Sequence, residues 1–304
     1  MNSPGNPELE AAGHSLRLAC GNGLRADVWE AFQSRFRIPE VLEYYAATEG
    51  TFSLYNCEGR VGAIGRIPAF LSHRYPVALI RCDLSSGAPA RDGQGRCVRS
   101  VPGEPGEAIG RIAATGSAGA QFEGYADPEA TRRKVLRDVF EAGDAWYRTG
   151  DLMRRDAQGF YYFVDRIGDT FRWKGENVST TEVASALASC TGVSDVAVYG
   201  VTVPGTEGRA GMAAVVVGPG FDLTVFHREL AGKLPEYARP LFLRLVPTLE
   251  VTGTFKLRKQ ELAEQGYDPR RTGDRLYLDL GRKGYYERLD ASLHDRITRG
   301  LERL

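Results

Sequence analysis

The chain has 304 residues, enough to bury a sizeable core in more than one domain. Hydrophobic residues at 42% and charged residues at 26% describe an ordinary folding chain and exclude a disordered or fibrous one. The 39 basic residues balance 39 acidic ones, so no long-range positive field gathers nucleic acid, and no nucleic-acid partner is expected.

Met1 is followed by Asn, Ser, Pro and Gly rather than by a basic start and an apolar stretch. No run approaches the ~20 apolar residues of a membrane helix. Five scattered cysteines without a C-x-x-C pair predict a reducing cytosol, and four scattered histidines offer no metal-ligand spacing.

In chain order, residues 15–20 read as a strand that runs into the tight turn Gly21-Asn22-Gly23. Val28, Ala31, Phe32 and Phe36 then recur at helical spacing, with Asp27 placed to cap the helix. Residues 40–46 are β-prone and stop at Thr48-Glu49-Gly50. Between 59 and 163, short runs such as 77–82 and 108–112 alternate with Gly and Pro turns, which predicts a twisted sheet or small barrel. A helix over 128–140 interrupts it, with Val135, Leu136 and Val139 inward; its Arg132-Arg133-Lys134 run reads as a solvated face, a phosphate-facing role being the minority alternative. After Arg166 helices and strands alternate in an α+β module: helices over 181–190 and 223–234, strands over 194–200, 212–217 and 241–246. The boundary is expected at 166–168, giving domains 1–166 and 167–304, with an amphipathic helix at the end packing back on the module.

Four separated segments carry candidate chemistry. Tyr44-Tyr45-Ala46-Ala47-Thr48-Glu49-Gly50 brings an aromatic ring, a hydroxyl and a carboxylate to a sheet edge, a set that suits a nucleotide. Trp146-Tyr147-Arg148-Thr149-Gly150-Asp151 offers a carboxylate able to accept both ribose hydroxyls. In Asp165-Arg166-Ile167-Gly168-Asp169, Arg166 presents a fork of donors and Gly168 can absorb a large change of backbone angle. Thr252-Gly253-Thr254-Phe255-Lys256 sets a lysine beside a flexible turn before a helix over 257–264. Each alone is equally compatible with a strand end, a plain turn, a surface ion pair or a solvated lysine.

In this order, from about His14 to the tail, the segments resemble the AMP-forming adenylating enzymes. Gly21-Asn22-Gly23-Leu24-Arg25, Lys134-Val135-Leu136-Arg137-Asp138-Val139-Phe140 and above all Asp169-Thr170-Phe171-Arg172-Trp173-Lys174-Gly175-Glu176-Asn177-Val178-Ser179 look like the branch of very-long-chain acyl-CoA synthetases and fatty acid transport proteins. The resemblance implies an α/β plus α+β fold: the C-terminal part of the large adenylating domain, with its sheet and small β-barrel, followed by a small mobile α+β domain. It implies that Gly21, Asn22 and Gly23 line an adenine site, Tyr45 stacks on the base, Thr48 meets the α-phosphate and Glu49 holds magnesium. It further implies that Asp151 and Arg166 bind ribose, Lys256 is the adenylation lysine, and Gly175 lines the route of coenzyme A. Two departures stand out: Ala46 replaces a Gly frequent at that position, and Gly168 replaces a frequent Lys or Asp in a way that fits the transport-protein branch.

The implied cofactors are ATP, Mg and coenzyme A, the implied substrate a long or very-long-chain fatty acid, and the implied location cytoplasmic with peripheral membrane association. The family's phosphate loop with its lysine has no counterpart in the chain. Ala114-Thr115-Gly116-Ser117-Ala118-Gly119 is Gly-rich, lacks a lysine and reads as a surface loop. The expectation is therefore a truncated synthetase whose N-terminal half another chain or the full gene supplies. The alternative is a non-catalytic remnant that binds AMP or a partner, and either form exposes edges that favour association.

Overall fold

The computed structural model describes residues 13–47, 50–73, 75–83, 86–112, 122, 124, 127–250, 259–280, 284–302 and 304. Two compact units divide the chain, Met1–Ile167 and Gly168–Leu304.

The first unit opens with β1 (Leu18–Gly21), α1 (Ala26–Phe36) and β2 (Glu40–Ala46), the two strands pairing in parallel from Leu18 opposite Glu40 to Gly21 opposite Glu43. The residue capping α1 is Arg25, with no side-chain cap, so the expected capping place of Asp27 is corrected: it lies inside the first turn. Trp29, fully buried, is the anchor of that helix. Next come β3 (Ser53–Asn56), β4 (Gly65–Arg66), β5 (Val77–Ile80) and β6 (Gly106–Arg111). The helix expected over 128–140 ends early. α2 covers Pro128–Lys134, with Asp127 capping the Glu129 N–H, and the chain then turns into β7 (Val135–Arg137). The reason is local. Val135 and Leu136 gain ladder partners in Tyr147 and Trp146. Asp144 accepts the N–H groups of Val139, Phe140 and Glu141, which fixes the following turn.

β8 (Ala145–Arg155) and β9 (Phe160–Arg166) complete a nine-stranded sheet of order β1-β2-β3-β4-β9-β8-β6-β5, with β7 attached to β8. The small barrel expected here does not close. The barrel-like strands continue into β1 to β3 as one open sheet, because β4, two residues long, bridges β3 and β9. Alternation along β5 sends Val77 and Leu79 to a core with Phe52, Leu54, Met153 and Tyr161, and Ala78 and Ile80 to a second core with Ile109, Val139 and Trp146.

The second unit begins with the hairpin β10 (Phe171–Trp173) and β11 (Glu176–Val178), then α3 (Thr180–Ala188), capped by Ser179 at the N–H of Glu182. Its five-stranded sheet runs β12 (Val193–Val201), β13 (Ala210–Val217), β14 (Phe242–Val246), β15 (Arg275–Asp279) and β16 (Tyr286–Arg288). α4 (Leu223–Lys233), α5 (Lys259–Gln265), α6 (Pro269–Thr272) and α7 (Ala291–Thr298) accompany it. Two strands from the tail, β15 and β16, extend a sheet whose first three members the sequence pattern marks. Leu293 and Ile297 of α7 enter the core with Phe226 and Leu230 of α4, each contributing roughly 1.5–3 kcal/mol. Among the described residues no helix is long and apolar enough to cross a membrane.

Candidate functional site

The most constrained piece of backbone in the first unit lies in the middle of β8. There Thr149, Gly150 and Asp151 face a single residue of β6, Ala108, since the ladder passes from Glu107 opposite Leu152 to Ile109 opposite Arg148. Such a bulge bends a strand and re-aims a side chain. Gly150 takes φ 78, where an L side chain is strained. Thr149 Oγ1 donates to the Ala108 carbonyl at 2.7 Å and accepts the Asp151 N–H at 3.0 Å, while the Gly150 N–H donates to Glu107 Oε1 at 3.3 Å.

The side chain re-aimed by this bulge is Asp151, 5% exposed. Its Oδ2 accepts the Tyr45 hydroxyl at 2.6 Å and its Oδ1 lies 3.1 Å from Arg166 Nε. Three of the sequence candidates, from β2, β8 and β9, therefore meet at one carboxylate. Burial, followed by the Asp151 charge and its hydrogen bond, pushes the Tyr45 phenol well above its ordinary value, so it donates throughout the physiological range. The Tyr45 ring lies beside Phe52, centroids 5.8 Å apart and planes 28° apart. Arg166 is half-exposed at the end of β9. An ionised carboxylate has about four lone-pair directions. With one oxygen accepting from Tyr45 and the other facing Arg166, Asp151 retains the capacity to accept from a vicinal diol.

The Gly21-Asn22-Gly23 turn leaves β1 directly beside β2. Glu43, buried and two residues from Tyr45 on the same face of β2, accepts the Gly23 N–H and, at 3.2 Å, the Leu24 N–H through Oε1. Among the described residues its Oε2 has no partner, and desolvation raises its pKa against the lowering effect of those two amides. Among the described residues nothing lies within 4 Å of where a Cβ would stand on Gly21 or Gly23. Behind the bulge, Glu107 is fully buried against Arg148, whose Nε lies 3.0 Å from both carboxylate oxygens and whose second guanidinium nitrogen lies 2.6 Å from Oε2 and 2.5 Å from the Gly87 carbonyl. Lys134 Nζ donates to the Thr149 carbonyl at 3.2 Å, so this member of the basic run reaches the back of the bulge instead of facing solvent alone.

Glu43, Glu107 and Arg148 escape a motif search. The signal available was a charge at an inward position of an alternating strand: Val41-Leu42-Glu43-Tyr44-Tyr45 places Glu43 on the same side as Val41 and Tyr45. In the second unit Gly175 takes φ 87 in the β10–β11 turn, and its carbonyl accepts Arg172 Nε at 3.1 Å. Gly168 takes φ 101 with open space where a side chain would stand. Thr48, Glu49, Lys256 and the Gly-rich run 114–119 lie outside the described residues. Among the described residues no cluster of three or more His, Cys, Asp or Glu could hold a metal ion.

Residues 182–256 match the AMP-binding enzyme C-terminal domain. The chain is 47% identical over 289 residues to long-chain fatty acid transport protein 1 of Mus musculus, covering 94% of this chain and 44% of that protein. It is 46% identical over 303 residues to long-chain fatty acid transport protein 3 of Homo sapiens, covering 99% and 44%. Over nearly its full length this chain is similar to fatty acid transport proteins. It spans about 44% of the length of these relatives. ATP-bound MatB of Rhodopseudomonas palustris shares the fold of this chain at TM-score 0.63 and 23% identity over 82% of this chain and 45% of that one. The AMP complex of Bacillus subtilis O-succinylbenzoate coenzyme A synthetase shares it at TM-score 0.59 and 21% identity over 82% and 46%. The α/β plus α+β architecture is thus that of adenylating enzymes, and the family resemblance rests on nearly the full chain rather than on its motifs alone.

Proposed function

We propose that this chain carries the nucleotide-gripping half of an ATP-dependent, AMP-forming fatty acyl-CoA synthetase. The observation that carries the reading is the convergence of Tyr45, Asp151 and Arg166 on one buried carboxylate, within a fold that known CoA ligases share. In this reading Asp151 accepts the ribose hydroxyls, Arg166 adds a guanidinium to the sugar or phosphate, the Tyr45 ring supports the base and the Gly21-Asn22-Gly23 turn, tied down by Glu43, lines the adenine. A fatty carboxylate oxygen attacks the α-phosphorus of ATP and pyrophosphate leaves. The coenzyme A thiol then attacks the acyl carbon and AMP leaves.

Thr48, Glu49 and Lys256 retain the roles that the family implies, with magnesium assigned to Glu49; charge stabilisation of this kind is worth about 100 to 1000-fold per donor in rate. Gly168, at the junction of the two units with φ 101, provides the turning point for exchange of Lys256 and Gly175 between the two steps. The fatty acid, its long or very long chain, coenzyme A and peripheral membrane association are assigned by likeness to the transport proteins.

The test has two stages. Calorimetric titration with AMP asks whether the chain grips the nucleotide, and Asp151→Ala is expected to weaken binding by about tenfold or more. Pyrophosphate release with oleate, ATP and magnesium is then measured in a full-length protein carrying this region, with Lys256→Ala as control. Binding with no Lys256-dependent turnover supports the second reading, a non-catalytic AMP-binding remnant. No AMP binding by the chain or the full-length protein refutes both.

A further inference from the structure

The backbone is held close to Gly168 on both sides. Before it, the Ile167 N–H donates to the Gly150 carbonyl at 2.8 Å, within the first unit. After it, Phe171 is buried in a notch made by glycines: a Cβ on Gly200 would stand 2.8 Å from the Phe171 Cβ, and one on Gly211 3.1 Å from the tip of its ring. The Arg209 N–H donates to the Arg172 carbonyl at 2.8 Å, and its guanidinium reaches back to the carbonyls of Thr170 at 3.1 Å and Gly168 at 3.3 Å. The backbone that remains to turn is Gly168 and its neighbour Asp169.

Asp169 is fastened from far along the chain. Its Oδ2 lies 3.2 Å from Lys259 Nζ, which also donates to Thr180 Oγ1 at 3.1 Å. Lys259 opens α5 and follows Lys256 by three residues. No residue of α5 is buried, and only its middle, Leu262 and Ala263, packs partly against the core. Polar contacts at its ends therefore set where it lies. At the far end Gln265 Oε1 accepts from Arg244 at 2.7 Å, and Arg244 also pairs with Asp274 at 2.7 Å.

We propose that Lys259 is a positioning residue, which registers α5, and with it the chain leading from Lys256, against Asp169 beside the pivot. Within the synthetase reading, on which this rests, turning at Gly168 delivers Lys256 to the adenylation step. Three residues span at most about 11 Å, so a root fixed at Lys259 bounds how far Lys256 strays from the pivot. Lys259 and Asp169 are 25% and 40% exposed, so solvent screens the pair and its worth lies in direction more than in stability.

The test uses the full-length protein carrying this region. Pyrophosphate release with oleate, ATP and magnesium is measured separately from conversion of supplied oleoyl-adenylate by coenzyme A. Lys259→Ala is expected to lower kcat of the first step about tenfold, short of the roughly 100-fold that a 1 Å misplacement can cost, with the ATP KM and the second step within about twofold. Lys259→Arg, which keeps a cation of similar reach, should restore most of the rate. Asp169→Ala should match Lys259→Ala, and the double variant should be no slower than either single. Hydrogen exchange of residues 259–265 should quicken about two- to fivefold in Lys259→Ala, although alanine is the better helix former. Unchanged kcat, a loss that Lys259→Arg does not rescue, or losses that multiply in the double variant overturn the role. The synthetase reading fails by a different result, absence of Lys256-dependent pyrophosphate release from the unsubstituted protein. Exchange then decides the link alone: quickened by Lys259→Ala it stands, unchanged it falls.

Discussion

Arg148→Leu is expected to be among the most destabilising single changes in the first unit. It strands the Glu107 carboxylate, which is fully buried, with the 3.3 Å Gly150 N–H as its remaining donor among the described residues. Breaking a buried pair from one side costs about 3–5 kcal/mol because an uncompensated charge remains. For a unit of this size, each kcal/mol lowers the melting temperature by about 2–4 °C, so a fall of about 6–20 °C is expected. Glu107→Leu should cost less, since the Arg148 side chain is 20% exposed and keeps the Gly87 carbonyl. The double variant Glu107→Leu/Arg148→Leu removes both charges and leaves the Gly87 carbonyl and the Gly150 N–H unmet, about 1–3 kcal/mol each. Its cost should fall short of the sum of the singles by at least about 2 kcal/mol. Urea titration followed by hydrogen exchange in peptides spanning 106–111 and 145–155 reads the first unit separately from the second. If the two singles add to the double within about 0.5 kcal/mol, the pair is not an energetic unit and its role in holding the bulge is wrong. AMP titration of the same variants connects packing to function, because a slackened Gly150 lets Asp151 drift.

Tyr45→Phe removes a hydrogen bond to a charged acceptor and should cost about 1.5–3 kcal/mol of stability in chemical denaturation; it should keep most AMP affinity, whereas Tyr45→Ala, which loses the ring, should lose about tenfold or more by calorimetry. Glu43 has a raised folded pKa, so the folded state holds its proton where the unfolded state has released it. Its contribution to stability is full below the ordinary value of 4.5, declines as pH rises through the folded value and then levels off. Glu43→Gln should flatten that decline in urea midpoints measured across pH 4–8, and an unchanged profile would remove Glu43 as its source. Gly65→Ala places a Cβ 2.4 Å from the Tyr55 backbone nitrogen at φ 151 and should cost about 3 kcal/mol or more, read as a lower denaturation midpoint.

The elements that the sequence made legible are those whose local propensity and tertiary pairing agree. Residues 40–46 form the β2 expected of them, and the Leu223–Lys233 helix starts where Asp222 caps two amides. The helix expected over 128–140 stops short because Val135 and Leu136 fit either an inward helical face or a ladder, and the deciding partners, Tyr147 and Trp146, lie well beyond one helical turn. The strand at 275–279 was missed for a related reason: its alternation of Arg275, Leu276, Tyr277 and Leu278 is also that of an amphipathic tail, and the choice is made by pairing with β14. Tyr45, Asp151 and Arg166, which residue type and order single out, meet at one carboxylate. Type and order do not single out Glu43, Glu107 and Arg148, since what identifies them is burial, a property of the assembled sheet.

These silent residues share a physical task. Glu43 holds the amides of Gly23 and Leu24, Glu107 that of Gly150, and Asp144 those of Val139, Phe140 and Glu141. Each is a carboxylate placed under a turn, where charge-assisted acceptance from backbone N–H groups is about twice as strong as a neutral bond and fixes the path of the chain without filling the space above it. An apolar residue at Glu43 or Glu107 would pack, yet it would leave those amides unmet and the glycine turns free to relax. A nucleotide is gripped by direction more than by bulk, so turns held to one path serve it better than a denser core. In the proposed nucleotide site the buried acids under Gly23 and Gly150 therefore count as fully as Asp151, although they need not touch the ligand.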